Sequence, residues 1–228
     1  MWIQENLDKI KERIERAAQR AGRNPREVTL VAVTKTVDVE VARQVYNAGI
    51  KTLGENRVQE LQKKIPEMPA DTQWHMIGHL QTNKVKYIID KVTLLHSLDR
   101  VSLAEEISRR AIKQNLNLSA LVQVNVSGEE SKFGLPPGEV LDFIKTVSVL
   151  PGLTIRGLMT IAPYTTNPEE VRPFFRSLKK LAEKIQRDVA GVNMDYLSMG
   201  MTNDYEIAVE EGANIVRIGT AIFGARKY

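Results

Sequence analysis

The sequence lacks cysteine and contains no apolar run near the roughly 20 residues that a membrane-spanning helix requires. The first absence excludes disulfide bonds, thiolate catalysis and cysteine-ligated metal sites. The N-terminus also lacks the basic segment and apolar stretch of a secretory signal. We therefore expect a soluble cytoplasmic protein.

The chain carries little excess charge. Its 32 basic and 28 acidic residues give a net charge of +4, and the two signs are interspersed. This pattern is typical of a solvated mixed surface and does not predict a nucleic-acid or membrane partner, although it suits an anionic ligand such as a phosphate ester. Hydrophobic residues at 43% and charged residues at 26% are close to globular averages, which argues against disorder.

Apolar residues recur at helical spacing over residues 1–21, and short β-branched runs then alternate with longer amphipathic stretches. The pattern predicts eight strands, over Thr29–Thr34, Lys51–Leu53, Trp74–Ile77, Thr93–His96, Ala120–Val126, Ile155–Met159, Tyr196–Ser198 and Asn214–Ile218. It predicts intervening helices over Val39–Asn47, Glu55–Ile65, Gln81–Asp90, Arg100–Gln114, Pro137–Ser148, Pro168–Val189 and Asp204–Glu211.

Alternating strands and helices imply a parallel sheet. Eight units within 228 residues favour an α/β fold in which residues 1–228 form a single (β/α)8 TIM barrel with an extra N-terminal helix. The alternative, an open doubly wound sheet, usually has a glycine fingerprint after its first strand, and Thr34–Asp38 contains no glycine.

In such a barrel, functional residues lie at the carboxyl ends of the strands, which makes Lys35 the most informative position. It follows a buried strand, so desolvation there would leave part of its amine neutral and able to form a Schiff base. The alternative is a lysine that reaches water at a strand end.

Small and hydroxyl residues between Ser198 and Gly224 follow the last two strands, where phosphate sites of these barrels tend to lie. Plain turn geometry would explain the glycines equally well. Arg217 stands inside the apolar strand Ile215–Ile218, so its charge must either pair with a barrel glutamate or meet a ligand.

The sequence contains only three histidines. His75 and His79 have the spacing of a metal-binding helix, but they lack the intervening glutamate of that motif and fall on a strand and a turn, so we expect no metal site. His75 is interpreted as a packed histidine, whereas His79 ends a strand and could reach the barrel mouth.

Six long motifs in order resemble a known family. They are VAVTK at 31–35, GENRVQE at 54–60, WHMIGHLQTNK at 74–84, VNVSGEESKFG at 124–134, GLMTIAP at 157–163 and LSMGMTNDYEIAVEEGANIVRIGTAIFG at 197–224. Together they resemble the pyridoxal 5′-phosphate (PLP) homeostasis proteins of the YggS/PROSC group, which are related to the N-terminal barrel of alanine racemase.

The resemblance implies PLP as the cofactor, held as a Schiff base on Lys35, with Arg217 on its pyridine nitrogen. It implies a phosphate site made of Ser198, Gly200, Gly219 and Thr220, with Met201 and Thr202 close by. It implies a ring pocket lined by Asn56, His79 and Met159. Thr202 departs from the serine expected in the family but keeps the hydroxyl.

The resemblance also bears on activity. The related racemase takes its second base, a tyrosine, from a further domain, whereas this sequence ends four residues after Gly224. We therefore expect a monomeric, non-catalytic PLP carrier that limits free PLP, maintains vitamin B6 and amino-acid homeostasis, and supplies apo PLP-dependent enzymes. The alternatives are a weak amino-acid racemase that uses Lys35 and a bound water, and a barrel enzyme acting on a phosphorylated sugar.

Overall fold

The computed structural model describes residues 2–129 and 132–224, and its eight parallel strands close into a barrel in chain order. The strands are β1 Thr29–Val33, β2 Thr52–Glu55, β3 Gln73–Met76, β4 Leu94–Leu98, β5 Leu118–Gln123, β6 Leu153–Met159, β7 Tyr196–Ser198 and β8 Ile215–Ile218. The predicted TIM-barrel fold is confirmed. Met1, Glu130, Ser131 and residues 225–228 lie outside the described residues. Met1 belongs to the predicted N-terminal helix, Glu130 and Ser131 belong to the motif at 124–134, and all of these residues belong to the predicted single domain.

The barrel closes where β1 pairs with β8, with Thr29 beside Ile215 and Val31 beside Arg217. Helices cover the outside of the strands, so a strand such as Leu30–Val33 is buried on both faces. This double burial explains why the strands are nearly continuous apolar runs rather than alternating ones.

The helices run between and around the strands. They are α1 Trp2–Arg20, α2 Val39–Asn47, α3 Val58–Lys64, α4 Val101–Gln114, α5 Val140–Val147, α6 Arg172–Asp188, α7 Tyr205–Glu210 and α8 Thr220–Phe223. The extra N-terminal helix α1 buries Ile3, Leu7, Ile10, Ile14 and Ala17. Arg13 of α1 also contacts α7, where its Nε donates a hydrogen bond to Glu206 at 2.7 Å.

The α-helix predicted over Gln81–Asp90 is wrong in type, because the segment is a 3-10 helix over Thr82–Tyr87. Lys84 N–H donates to Gln81 and Ile88 N–H donates to Val85, which are the i to i+3 bonds of that helix. Threonine, asparagine and β-branched residues favour α-helix weakly, so a short tight helix replaces the longer one.

Most other element boundaries shift by one to four residues. The helices predicted from Pro137 and Pro168 begin as 3-10 turns, and their α-helical parts start only at Val140 and Arg172. Proline lacks the amide proton that a helix interior requires, which confines it to such first turns. Strand β5 begins earlier than predicted, because Leu118 already pairs with Leu153 of β6. It ends at Gln123, which pairs with Met159 at the end of β6.

Candidate functional site

A cavity of about 540 Å³ opens at the carboxyl ends of the strands. Residues that follow β1, β2, β3, β5, β6, β7 and β8 line it, and this is the end of the barrel at which the strand-end rule predicts a functional site. Of the residues that sequence reasoning predicted for the site, seven line this cavity: Lys35, Asn56, Met201, Thr202, Arg217, Gly219 and Thr220.

Lys35 lies on the wall of the cavity, two residues beyond the end of β1. The preceding Thr34 is fully buried, whereas Lys35 itself is half-buried. A half-buried lysine on the wall of a cavity is accessible to a small molecule yet partly shielded from bulk water. This placement fits the predicted Schiff-base lysine.

Asn56 reaches the cavity because β2 and β3 approach each other very closely where they end. A Cβ added at Gly78 would lie 2.2 Å from the carbonyl oxygen of Asn56, so only glycine fits at that position. The close contact fixes the backbone of Asn56 at the cavity wall.

Arg217 is buried on β8 and is one of the residues that line the cavity. It donates one hydrogen bond to Ser198 Oγ at 2.6 Å and another to the carbonyl oxygen of Thr160 at 2.8 Å. Burial lowers the pKa of Arg217 to about 10, while the negative charge of Asp204 opposes that change, so the group stays cationic at neutral pH. The alternative interpretation of Arg217, an ion pair with a barrel glutamate, is wrong within the described ranges, since no carboxylate there forms an ion pair with it.

Four predicted site residues do not line the cavity. Ser198 and Met159 are fully buried inside the barrel. Gly200 has φ +93°, and a Cβ added there would lie 2.6 Å from the side chain of Ala208. His79 stacks on Phe133 with ring centroids 4.1 Å apart. The contacts of these four residues with a cofactor stay predictions.

Ser198 belongs to a buried polar chain that sequence reasoning missed. His96 Nδ1 lies 2.9 Å from Ser198 Oγ, and His96 Nε2 lies 3.0 Å from His75 Nδ1. Because Arg217 already donates to the serine oxygen, the serine proton can point to His96, whose own proton then points to His75. The available signal was that His75, His96 and Ser198 are polar residues within predicted buried strands. The sequence does not show that these three side chains meet inside the barrel.

His75 and His96, the two histidines of this buried hydrogen-bonded chain, are expected to make the stability of the protein depend on pH. Burial lowers the pKa of His75 to about 4. Burial, and after it the charges of His75 and Arg217, lower the pKa of His96 well below its ordinary value. The folded state therefore binds fewer protons than the unfolded state below the ordinary histidine pKa. Stability is full above that value and falls with decreasing pH, by about 3 kcal/mol for His75 alone.

Urea unfolding at about pH 7.5 and about pH 4 measures this loss. A His75→Gln variant keeps a hydrogen-bond acceptor for His96 but cannot titrate, so its stability should fall less over the same interval. Equal losses in the wild type and in the variant would contradict the assignment. The carboxylates contribute to both proteins and cancel in the comparison.

Asp204 is a further cavity residue that the sequence did not single out. Its Oδ1 accepts the amide proton of Met201 at 2.6 Å, and burial raises its pKa. The carboxylate thus fixes the loop after β7 beside Thr202, whose Oγ1 accepts the amide proton of Ala221 at 3.3 Å. The available signal was an acidic residue immediately after Thr202-Asn203, where the sequence pattern predicts only the start of a helix.

The cavity residues have the chemistry to hold a phosphorylated aldehyde. Lys35 offers an amine, Arg217 offers a buried cation, and Thr202 and Thr220 offer hydroxyls. Such a set of donors suits an anionic ligand that also carries a carbonyl group. Within the residues that the structure describes, no cluster of three or more His, Cys, Asp or Glu could hold a metal ion.

Comparison with known proteins identifies the family of this chain. Residues 6–227 match the family described as alanine racemase, N-terminal domain. The chain belongs to this family. A protein of Aquifex aeolicus named pyridoxal phosphate homeostasis protein is 51% identical over 98% of both chains, so the family predicted from the motifs is confirmed.

Solved structures extend the comparison. PipY of Synechococcus elongatus, solved with PLP bound, is 33% identical, with a TM-score of 0.81 over 93% of this chain and 100% of its own. Alanine racemase from Corynebacterium glutamicum is 14% identical, with a TM-score of 0.73 over 96% of this chain and 62% of its own, and shows the shared fold alone. Across the described part of the chain, every helix is too short or too polar to cross a membrane.

Proposed function

We propose that this protein binds PLP in the barrel-mouth cavity as a Schiff base on Lys35 and acts as a PLP carrier. The observation that carries the proposal is the presence of Lys35 and the buried Arg217 cation on the wall of one cavity. The PLP homeostasis proteins among its relatives and the PLP complex of PipY support it. In this account the chain is one barrel domain and a cytoplasmic monomer that supplies apo-enzymes and thereby maintains vitamin B6 and amino-acid homeostasis.

Each cavity residue has a distinct part in the proposal. Arg217 would meet the pyridine nitrogen, and Thr202, Gly219 and Thr220 would hold the phosphate beside Met201. Asn56 would contact the ring. The four predicted residues that are not among those lining the cavity keep their predicted roles as part of this proposal; they are Ser198, Gly200, His79 and Met159.

Arg217 also argues for a carrier rather than a strong catalyst. When bound, PLP supplies an aldehyde for amines and an electron sink for reactions at Cα. A guanidinium does not donate its proton at neutral pH, and the described residues place no acid within ion-pairing distance of Arg217. The ring nitrogen would therefore stay unprotonated, which weakens the electron sink.

Two assays on the PLP-loaded protein test the carrier function. In the first, activity is followed after the loaded protein is mixed with an apo-aminotransferase, with an equal concentration of free PLP as the control. In the second, solvent deuterium exchange at Cα of several amino acids is followed by NMR. We expect activity to return, with no exchange above that of free PLP. Faster exchange would indicate the weak racemase, and failure to reactivate the apo-enzyme would contradict the carrier function.

A further inference from the structure

The turn that carries Lys35 contains a residue in an unfavourable backbone conformation. Val37 N–H donates to the carbonyl oxygen of Thr34 at 3.0 Å, which places Lys35 and Thr36 at the two central positions. Thr36 has φ +61°, a region that β-branched residues rarely occupy and that glycine normally fills in turns. Such a conformation persists only where the surroundings impose it.

Glu60 of α3 supplies one of the contacts that impose it. Its Oε2 accepts the amide proton of Thr36 at 2.6 Å, and Thr36 Oγ1 donates to the carbonyl oxygen of Lys35 at 2.6 Å. Glu60 keeps 23% of its side chain exposed and does not line the cavity. It therefore acts on the backbone beside Lys35 and not on the cavity.

Lys64, one helical turn further along α3, supplies the second contact. Its buried ammonium donates to the carbonyl oxygen of Thr34 and to Glu55 Oε1, both at 2.6 Å, and lies 3.6 Å from Glu60 Oε2. The hydroxyl of Thr34 donates to the same Glu55 oxygen at 2.6 Å. The residues on both sides of Lys35 are thus held by charged side chains of α3 and β2.

We infer that Glu60 and Lys64 are positioning residues, which hold the turn in its strained form and so present the Lys35 amine to the cavity. This inference rests on the proposed function, because it assumes that Lys35 is the group that reacts with PLP. Without Glu60, Thr36 would relax toward negative φ, and the turn would spend less time in the form seen here. Neither residue would touch the cofactor.

Stopped-flow measurement of imine absorption after mixing with PLP tests the inference. Glu60→Ala should slow imine formation by about tenfold. This is the factor by which the positive-φ form of Thr36 becomes less populated when the hydrogen bond to Glu60 is lost. Glu60→Gln, which keeps an acceptor for Thr36 N–H, should stay close to the wild type. Thr36→Gly in the Glu60→Ala background should restore the rate, because glycine adopts this φ without strain.

The controls distinguish a positioning role of Glu60 from loss of folding and from failure of the proposed function. Exposed Glu67, just beyond α3, gives the charge-matched control Glu67→Ala, and urea unfolding checks that each variant is folded. An unchanged rate in Glu60→Ala, or no recovery on adding Thr36→Gly, would overturn the positioning role. A wild-type protein that forms no imine on Lys35 would instead overturn the proposed function itself.

Discussion

Replacing Lys35 with alanine is expected to abolish the imine absorption band that forms when the protein is mixed with PLP. The amine is the only atom of that side chain that can form the covalent bond, so no residual band should remain. Lys35→Arg keeps the positive charge but forms no Schiff base under these conditions. It should bind PLP weakly through the phosphate and show the spectrum of the free aldehyde.

Two other lysines make this prediction specific. Lys132 is the other lysine among the described residues that line the cavity, and it pairs with Glu129 at 2.7 Å. Lys51 lies at the opposite end of the barrel, where it pairs with Asp71. Lys51→Met should leave the band intact. A band that persists in Lys35→Ala, with the adduct on Lys132, would contradict the assignment of Lys35.

Lys64→Met is expected to destabilise the protein by about 3–5 kcal/mol, the usual cost of leaving a buried charge without its partner. Glu55 is fully buried, and its Oε2 has no hydrogen-bond partner within the described part of the chain. Burial raises the pKa of Glu55, whereas the hydrogen bonds from Lys64 and Thr34 oppose that rise. Removing the Lys64 ammonium therefore leaves the Glu55 carboxylate either charged and unpaired or protonated, and both states lower the free energy of unfolding.

A double-mutant cycle measured by urea unfolding checks this expectation. The matched control is Lys63→Met, since Lys63 is the exposed neighbour of Lys64 on the same helix and should cost little. Glu55→Leu combined with Lys64→Met should recover much of the lost stability, because it removes the buried charges together. Equal and small effects of Lys63→Met and Lys64→Met would show that the buried pair contributes nothing to folding.

The fold followed from the sequence because eight buried strands leave a clear alternation of apolar runs and amphipathic stretches. Val39–Asn47 and Tyr196–Ser198 have the bounds that the sequence predicted. Where local preferences were weak, as in the segment around Thr82–Tyr87, the pattern showed that a helix was present but not which type it was. Helix type there depends on hydrogen bonds that periodicity does not report.

The candidate site was partly predictable because charged residues are conspicuous next to apolar strands. Lys35 and Arg217 stand out as charges at the ends of apolar strands, and the structure brings them to one cavity. Lys64 gives no such signal, because in the sequence it is the last of several polar residues on an amphipathic helix. Its burial beside Glu55 and the positive φ of Thr36 arise from packing between distant elements, which sequence spacing does not show.

The most direct test of the central claim is borohydride reduction of the PLP-treated wild-type protein, followed by peptide mass mapping. Reduction fixes any Schiff base to the lysine that formed it, so the labelled peptide identifies the site. We expect a single reduced adduct, on Lys35. No adduct, or adducts spread over the exposed lysines of the barrel surface, would contradict it and leave a barrel with a different phosphate ligand.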